Sequence, residues 1–407
     1  MLSPTEALSA VLSHCPLQPM EEVALEKALG RVLARPIRAD RDLPPADRSV
    51  MDGYAVRADD LSSVSRELKL VGEVAAGSRA RPTVRPGTCV RILTGATIPP
   101  RADSVAIVES TEEVSPTLVR FLSKVDRGQN ILRRGENARK GRALLNKGIR
   151  LGPQQIAVCA AVGADPVSVF ARPLVGVLCT GRELVAPSDR AARHAQRDSN
   201  GPALRAALQA TGLARCRISG IVDDAPGLLR RRVRSALKTC DVLILVGGVS
   251  VGKYDFVPRV LDALACRKVF HGVRMRPGKP ILFALGPQKQ LIFGLPGNPL
   301  SALTGFYEFV VPALRKMTGS PSRSLSKMLV RLQSRLTTRY TGRARFYPAR
   351  LQFDAENGTP VAIPVLNESS ADVTAGGLCD GVLALPEEKT YEAGSLLEFH
   401  PWGAIRW

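Results

Sequence analysis

The chain has 407 residues, which exceeds the size at which one hydrophobic core usually keeps growing, so roughly two to four domains are expected. The chain has 57 lysines and arginines against 37 aspartates and glutamates, and this net charge of +20 favours anionic ligands such as phosphorylated cofactors or free oxyanions. Aromatic residues make up 5% of the chain, and no RNA-binding aromatic strand, zinc finger or basic zipper is visible, so a nucleic-acid partner is not expected.

Cysteine and histidine usage also narrows the class of protein. The eight cysteines and four histidines are scattered along the chain without a C-x-x-C pair. This pattern predicts reduced thiols and argues against a metal site built from histidine and cysteine. The N-terminus, "MLSPTEALSAVLSHC", has helical spacing and carries Glu6 without a basic region, so neither a signal peptide nor a membrane span is expected. We therefore predict a cytoplasmic protein with no membrane partner.

The first part of the chain predicts helices followed by strands. Residues 3–34 pattern as helix, with a second helix predicted from Met20 to Leu29. From 51 to about 145 the chain consists of short alternating runs separated by Gly and Pro, which predicts an all-β segment. Residues 151–163, "LGPQQIAVCAAVG", predict a short apolar helix.

The second part predicts an α/β region and a further β region. From Pro173 strands alternate with helices, which favours a mostly parallel sheet with ligands at the carboxyl ends of the strands. After about residue 326 the pattern returns to β, and a small barrel or sandwich is expected. The predicted fold class is multidomain α/β plus β, with four parts: a helical and extended linking domain (1–45 and 141–172), an inserted all-β domain (46–140), a doubly wound, mostly parallel α/β domain (173–325) and a C-terminal small β-barrel (326–407).

Small and polar residues follow the strands of the α/β part. In "DVLILVGGVSVGKYDF" (241–256) a buried strand runs into a glycine turn, and a helix is predicted to begin near Asp255. Glycines at such a turn let backbone N–H groups approach a phosphate or another oxyanion. Five more loops have the same character: "CTGREL", "RDSNGP", "IVDDAP", "RMRPGKP" and "GLPGNPLSA". Because they would meet at one edge of the sheet, we predict a pocket for a phosphate and a heterocycle there.

Seven longer motifs carry a resemblance to a known family. They are "DLPPADRSVMDGYAVR", "VRILTGATIPPRADSVAIVE", "GVLCTGREL", "RDSNGPAL", "GGVSVGKYDF", "RPGKP" and "GLPGNPLSALTGFYEFVVPALRK". Together they resemble the molybdopterin molybdenumtransferase (MoeA) family, which is related to the E domain of gephyrin, and they follow the family's order over nearly the whole chain. The resemblance implies an elongated homodimer of four-part chains and a molybdopterin-binding α/β domain. It also implies that adenylylated molybdopterin and molybdate combine, that AMP is released with the help of Mg²⁺, and that molybdenum cofactor results.

The resemblance implies a set of catalytic and metal-binding residues. The catalytic set is Asp52, Thr94, Glu183, Asp224 and Asp255, with Asp223 as an alternative to Asp224. The family brings the residues that match Asp52 and Thr94 to the pocket from the other subunit. Glu183, Asp224 and Asp255 are the expected Mg²⁺ ligands, because this ion prefers hard oxygen donors between acids and phosphates.

The substrate-binding residues implied by the resemblance lie in the same loops. They are Gly247, Gly248, Ser250, Gly252, Asp198, Ser199, Asn200, Arg276, Lys279, Pro296, Asn298, Pro299, Ser301 and Ser369, with Ser370 as an alternative to Ser369. Arg276 and Lys279 would neutralise oxyanions, including molybdate.

Three positions depart from the family pattern. Lys253 stands where "GGVSVGE" has Glu, Arg182 stands where "TGDEL" has Asp, and Asn137 stands where "RRGED" has Asp. Each change removes a negative charge, so metal affinity should fall and anion affinity should rise if all three face the pocket. The alternative interpretation is surface drift without consequence.

Three functions compete on this evidence. The first is a working molybdenum insertase. The second is a non-catalytic paralogue that binds molybdopterin or an oxyanion as a carrier or delivery chaperone. The third, molybdopterin adenylyltransferase, explains the α/β domain but leaves the "MDGYAV" domain without a task. As protein partners the resemblance suggests a second copy of the chain, molybdopterin adenylyltransferase and apo-molybdoenzymes.

Overall fold

The computed structural model describes residues 1–63, 65–250, 256–320, 327–338, 342–356, 358–366, 369–385 and 390–403. The chain divides into two compact units. The larger unit comprises 1–35, 148–152 and 166–407, and the smaller unit comprises 36–147 and 153–165. This division is coarser than the four predicted domains, whose boundaries stay a prediction. No helix among the described residues is long and apolar enough to cross a membrane.

The N-terminal segment of the larger unit corrects one prediction. Helix α1 (Pro4–Ser13) begins with a capping box, in which Ser3 and Glu6 each accept a hydrogen bond from the other's backbone N–H. The second helix predicted from Met20 to Leu29 is wrong. Strand β1 (Met20–Val23) pairs there with the antiparallel segment Val167–Phe170, and a single 3₁₀ turn follows. A partner about 150 residues away in the sequence decides this conformation, and local spacing does not reveal it.

The smaller unit is largely β, as predicted. Its elements are, in chain order, β2 (Ile37–Arg38), β3 (Arg48–Ser49), β4 (Gly53–Val56), β5 (Arg66–Val74), β6 (Thr88–Ile92), β7 (Ser104–Ile107), β8 (Thr111–Ser115), β9 (Leu118–Phe121), β10 (Ile131–Leu132), β11 (Ala143–Leu145) and α2 (Pro153–Ala161). Six strands form one sheet in the order β7-β4-β6-β5-β9-β8. Successive residues of β4 pack on opposite faces of the sheet, Tyr54 in one hydrophobic cluster and Ala55 in another. The predicted short helix at 151–163 is confirmed by α2.

The α/β part of the larger unit confirms the predicted doubly wound sheet. Its elements are β12 (Val167–Phe170), β13 (Leu174–Thr180), β14 (Leu184–Val185), β15 (Gln196–Arg197), α3 (Asn200–Thr211), β16 (Arg215–Val222), α4 (Pro226–Leu237), β17 (Val242–Val246), α5 (Val257–Ala263), β18 (Arg267–His271), β19 (Met275–Arg276), β20 (Leu282–Leu285), β21 (Leu291–Leu295), α6 (Pro299–Gly305) and α7 (Val311–Met317), with a π-helical turn at Phe306–Val310. The sheet order is β16-β13-β17-β21-β20-β18. The first four strands pair in parallel, and β20 pairs antiparallel with both β21 and β18, so the sheet is mixed at one edge.

Strand β17 explains why the sheet is covered on both faces. Its five residues are all buried. Ile244 packs in the cluster that includes α1, α3, α6 and α7, while Leu243 and Leu245 pack in the cluster that includes α4 and α5. A continuous apolar strand therefore serves two cores, and its carboxyl end opens at the edge of the sheet.

The C-terminal part of the larger unit is a closed barrel, as predicted. Its elements are β22 (Met328–Leu332), β23 (Leu336–Thr337), β24 (Ala344–Phe353), β25 (Pro360–Pro364), α8 (Val373–Leu378), β26 (Gly381–Leu385), β27 (Thr390–Tyr391) and β28 (Leu396–Pro401). Five strands close in the order β24-β25-β22-β28-β26 and back to β24. Strand β19 pairs in parallel with β24, so that Arg276 lies beside Arg345.

Candidate active site

Two cavities of about 320 and 360 Å³ lie in the larger unit and share one residue, Asn298. We call the first the carboxylate cavity; its polar and glycine lining is Thr180, Gly181, Glu183, Gln196, Asn200, Asp224, Gly247, Gly248, Gly297 and Asn298. We call the second the cation cavity; its charged and polar lining is Arg276, Lys279, Asn298, Ser301, Arg343, Arg345, Ser369 and Ser370. The carboxylate cavity lies where β13, β16, β17 and β21 end, as expected for the carboxyl edge of parallel strands.

Glycines and carboxylates fit closely together in the carboxylate cavity. The Thr180 hydroxyl donates a hydrogen bond to Asp224. Gly247 has φ +88°, and a Cβ atom there would lie 2.4 Å from the Thr180 carbonyl oxygen. A Cβ atom on Gly181 would lie 2.6 Å from Glu183 Oε1, so that carboxylate rests against bare backbone. The two predicted acids, Glu183 and Asp224, are thereby held in one cavity.

The cation cavity combines positive charge with hydroxyl groups. Arg276, Lys279 and Arg343 line it and form no ion pair within the part of the chain that the structure describes. The Asn298 side-chain amide donates to the Ser370 hydroxyl at 2.8 Å, which links α6 to the segment before α8. Ser369 and Ser370 both line the cavity, so the structure does not separate these two alternatives.

Two predicted binding residues support the site from the start of α3. Asp198 is 7% exposed, and its Oδ1 accepts a hydrogen bond from the Gly201 N–H at 2.9 Å. This bond fixes the first turn of the helix, where the Asn200 amide donates to the Gly297 carbonyl oxygen at 2.7 Å. Asp198 and Ser199 do not line either cavity, and their role in binding substrate stays a prediction.

The remaining predicted residues of the α/β part have mixed positions. Pro296 lines the cation cavity, Pro299 is the first residue of α6, and Ser250 is exposed after β17. Gly252, Lys253 and Asp255 lie outside the described residues.

The carboxylate cavity offers two side chains to a metal ion, Glu183 and Asp224. Among the residues that the structure describes, no group of three or more His, Cys, Asp or Glu side chains could hold an ion. Because Asp255 lies outside that part of the chain, the predicted set of three ligands stays a prediction.

Asp52 and Thr94 contact each other in the smaller unit. Strand β4 begins after Asp52 and β6 ends before Leu93, and Gly53 pairs with Ile92, so the two loops are neighbours. Asp52 Oδ1 accepts hydrogen bonds from the Thr94 backbone N–H at 2.6 Å and from its hydroxyl at 2.8 Å. These two bonds lower the pKa of the Asp52 carboxyl, so it is ionised at neutral pH.

Two residues that depart from the family pattern, Arg182 and Asn137, lie in different environments. The Arg182 guanidinium lies 3.8 Å from the Asp223 carboxylate, and both side chains are more than half exposed. Asp223 also accepts a hydrogen bond from the Ala225 N–H at 2.7 Å, just before α4. Asn137 belongs to the smaller unit, where its backbone N–H donates to the Leu43 carbonyl oxygen.

Two cations of the site were not predicted from the sequence. Arg343 directly precedes β24, and Arg345 is the second residue of this strand. Both line the cation cavity, as Arg276 does. The guanidinium of Arg345 also lies 5.1 Å from the centre of the Tyr347 ring. The alternating basic residues of "GRARFYPAR" were a signal, but a β pattern alone does not indicate which cavity a strand will reach.

Comparisons with known proteins agree over the length of the chain. Residues 2–163 match the MoeA N-terminal region (domain I and II), residues 176–316 match a probable molybdopterin binding domain, and residues 330–402 match the MoeA C-terminal region (domain IV). A molybdopterin molybdenumtransferase of Bacillus subtilis is 33% identical, covering 97% of this chain and 94% of the relative. One from Staphylococcus aureus is 36% identical, covering 77% and 75%.

A solved structure extends the agreement to three dimensions. The molybdopterin biosynthesis MoeA protein from Pyrococcus horikosii superposes with a TM-score of 0.83 at 32% identity, covering 99% of this chain and all of that chain. The fold, the three matched regions and the full-length relatives all lead to one conclusion. The chain belongs to the MoeA family of molybdopterin molybdenumtransferases.

Proposed function

We propose that the chain inserts molybdate into adenylylated molybdopterin, with hydrolysis and release of AMP, to give molybdenum cofactor. The observation that carries this proposal is the pair of cavities that meet at Asn298, one with two carboxylates and the other with four cations. Such a substrate needs one region for phosphate chemistry and an adjoining region for an oxyanion. The names of the relatives from Bacillus subtilis and Staphylococcus aureus support the transfer of molybdenum to molybdopterin.

In this proposal the carboxylate cavity receives the phosphate end of the substrate. Gly247 and Gly248 leave the backbone bare at the end of β17, so a phosphate can approach it closely. Asn200 and Asn298 line the same cavity, and their amides can orient the ligand by hydrogen bonds. Water is the second reactant: its oxygen bonds to phosphorus as the bond to AMP breaks.

The cation cavity binds molybdate in this proposal. Arg276, Lys279, Arg343 and Arg345 supply positive charge, and their donors suit the oxygens of a tetrahedral oxyanion. The hydroxyls of the lining serines supply further donors. Since the cavity adjoins the carboxylate cavity, an oxyanion bound there would lie beside a substrate held in the carboxylate cavity.

The residues present fit Mg²⁺, which the family resemblance implies. Glu183 and Asp224 offer hard oxygen ligands in one cavity, and Mg²⁺ usually takes one or two carboxylates together with substrate phosphates. When bound, the ion would neutralise charge on the phosphate oxygens. Titration of the protein with Mn²⁺, followed by its electron spin resonance signal, tests this site without any turnover.

A second copy of the chain completes the site in this proposal. The ionised Asp52, held by Thr94, is the acid that the resemblance assigns to the pocket of the other subunit. In a homodimer this pair would serve the pocket of the other subunit. Adenylylated molybdopterin would come from molybdopterin adenylyltransferase, and apo-molybdoenzymes would receive the product, so both are proposed partners.

A reconstitution experiment tests the reaction. Purified protein is supplied with adenylylated molybdopterin, molybdate and Mg²⁺, and AMP release and activation of an apo-molybdoenzyme are measured. Asp224→Asn should lower AMP release by roughly a hundredfold, because Asp224 lines the cavity. Asp223→Asn is the matched control and should change it less than a few-fold, since Asp223 pairs with Arg182 instead. Absence of AMP release from correctly folded wild-type protein would contradict the proposal.

The second candidate function is a carrier that binds molybdopterin or an oxyanion without turnover. The observation that favours it is the loss of three family acids at Lys253, Arg182 and Asn137. Tight binding of molybdate and molybdopterin with no AMP release, and with activity unrestored in Arg182→Asp, would support this second function.

A further inference from the structure

Four arginines form a cluster in the larger unit, and none of them lines the two cavities of the candidate active site. We define the arginine cluster as Arg31, Arg150, Arg172 and Arg215. Arg150 Nε donates to the Gly30 carbonyl oxygen at 3.3 Å, and Arg172 Nη2 donates to the Leu29 carbonyl oxygen at 3.4 Å. A Cβ atom on Gly30 would lie 3.5 Å from Arg150 Nη2 and 3.9 Å from Arg172 Nη2. Two guanidinium groups therefore meet at one turn of the backbone.

The charge of the arginine cluster is poorly compensated. Glu21 pairs with Arg31, whereas Arg150, Arg172 and Arg215 form no ion pair among the described residues. Burial, followed by the charges of Arg31, Arg215 and Arg150, lowers the pKa of Arg172. Like charges this close repel each other, so the cluster would gain from an added negative charge.

The cluster also has hydrogen-bond donors without acceptors. The Nε atoms of Arg31 and Arg172 are buried and have no partner within the described structure. Arg31 is 3% exposed, whereas Arg172 is half-buried and Arg150 and Arg215 are exposed, so the cluster can be approached from solvent on the side of these three. An anion with several oxygens would accept hydrogen bonds from the accessible guanidinium groups and offset the positive charge of the cluster.

A purely structural role explains only part of this arrangement. Arg31 donates to the Phe170 carbonyl oxygen at 2.8 Å, and Arg150 donates to the Thr211 carbonyl oxygen at 2.6 Å, at the end of α3. These bonds tie three segments of the chain together. Carbonyl oxygens carry only partial negative charge, however, so these bonds do not compensate the positive charge of the cluster. A single arginine would be enough to donate hydrogen bonds at each turn.

We propose that the arginine cluster binds a tetrahedral oxyanion of the phosphate class at a second site, separate from the two cavities. The planar guanidinium fork matches two oxygens of such an anion, which a carbonyl oxygen cannot do. The source of the anion is either free phosphate or the phosphate group of a nucleotide such as AMP. These two sources differ in the size of the ligand and are distinguished by titration with each.

The test is calorimetric titration with inorganic phosphate and, separately, with AMP. It uses the Lys279→Ala variant as background, so that the cation cavity contributes less to binding. Arg172→Gln in that background should weaken phosphate binding by about tenfold or more. Arg215→Gln changes an exposed side chain, leaves the fold secure and should weaken binding by a smaller factor. Arg230→Gln, an exposed arginine on α4, is the matched control and should have no effect.

Each outcome bears on the proposal. If the Arg172→Gln and Arg215→Gln variants bind phosphate more weakly but AMP unchanged, free phosphate is the ligand of the cluster. If they bind AMP more weakly as well, the ligand is the phosphate group of a nucleotide. Unchanged phosphate binding in both Arg172→Gln and Arg215→Gln would overturn the proposal. It would also be overturned if the wild type bound no phosphate outside the cavities while Arg172→Gln dissociated a dimer in sedimentation, because a carboxylate of a second copy would then occupy the cluster.

Discussion

Asp52 accepts two hydrogen bonds from Thr94 on a single carboxylate oxygen, at 2.6 Å and 2.8 Å. Both residues lie in loops at the ends of strands, and their side chains are not part of a core. Asp52→Ala should therefore reduce AMP release strongly while the melting temperature changes little. The lowered pKa of Asp52 stabilises the fold above its unfolded pKa of about 3.9, and that contribution is lost only as the pH falls further. AMP assays and thermal melts at pH 7 check this expectation, and a large fall in melting temperature with activity intact would make Asp52 structural.

The turn after β17 should tolerate no side chain. Gly247→Ala would place a Cβ atom 2.4 Å from the Thr180 carbonyl oxygen at a residue with φ +88°, so we expect a loss of roughly 1–3 kcal/mol in the free energy of unfolding. Gly227→Ala in α4 is the control, because no atom lies within 4 Å of its Cβ position and alanine favours a helix. Denaturant unfolding of both variants measures the difference. Equal stability of the two would show that the turn can relax.

One strand of the barrel offers a matched pair of arginines. Arg345 on β24 lines the cation cavity, whereas Arg350 on the same strand is exposed and does not line it. Arg345→Gln should weaken molybdate binding by about tenfold and reduce its dependence on salt concentration, since one cation leaves the site. Equilibrium dialysis with molybdate at two ionic strengths measures both quantities. If Arg350→Gln has as large an effect, the general charge of the protein explains the binding.

A buried histidine should make stability depend on pH. His400 is 3% exposed and donates hydrogen bonds from Nδ1 to the Glu308 carboxylate and from Nε2 to the Glu398 carboxylate, while Lys327 pairs with Glu398. Burial lowers the pKa of His400, but the bonds to Glu308 and Glu398 outweigh it, and the net pKa is raised. A raised pKa means that the stabilisation is complete below about pH 6.5 and is lost as the pH rises through the folded value.

The measurement for this prediction is the free energy of unfolding between pH 5.5 and 8.5, a window of about one to two units around the ordinary histidine value. His400→Gln should flatten the decline with rising pH. His194→Gln changes an exposed histidine, and its free energy of unfolding should depend on pH as that of the wild type does. A profile that is equally steep in His400→Gln would place the titrating group elsewhere.

Local sequence predicted the parts of the site that depend on strand ends. The glycines after β17 and the acids after β13 and β16 follow buried strands directly, so periodicity alone placed them at one edge of the sheet. Arg343 and Arg345 were missed because they reach the cation cavity only when the barrel closes and β24 pairs with β19. The error at Met20 has the same cause, a strand partner far away in the sequence.

The pairing of Arg276 with Arg345 limits how this protein can be rebuilt. The two residues are opposite each other in the parallel pair β19–β24, and a slip by one residue would turn Arg345 to the other face. The C-terminal barrel is therefore not an interchangeable module. A chimaera that receives residues 327–403 from another member of the family will keep the full positive charge of the proposed oxyanion site only if the incoming strand carries a cation at this one position of the ladder.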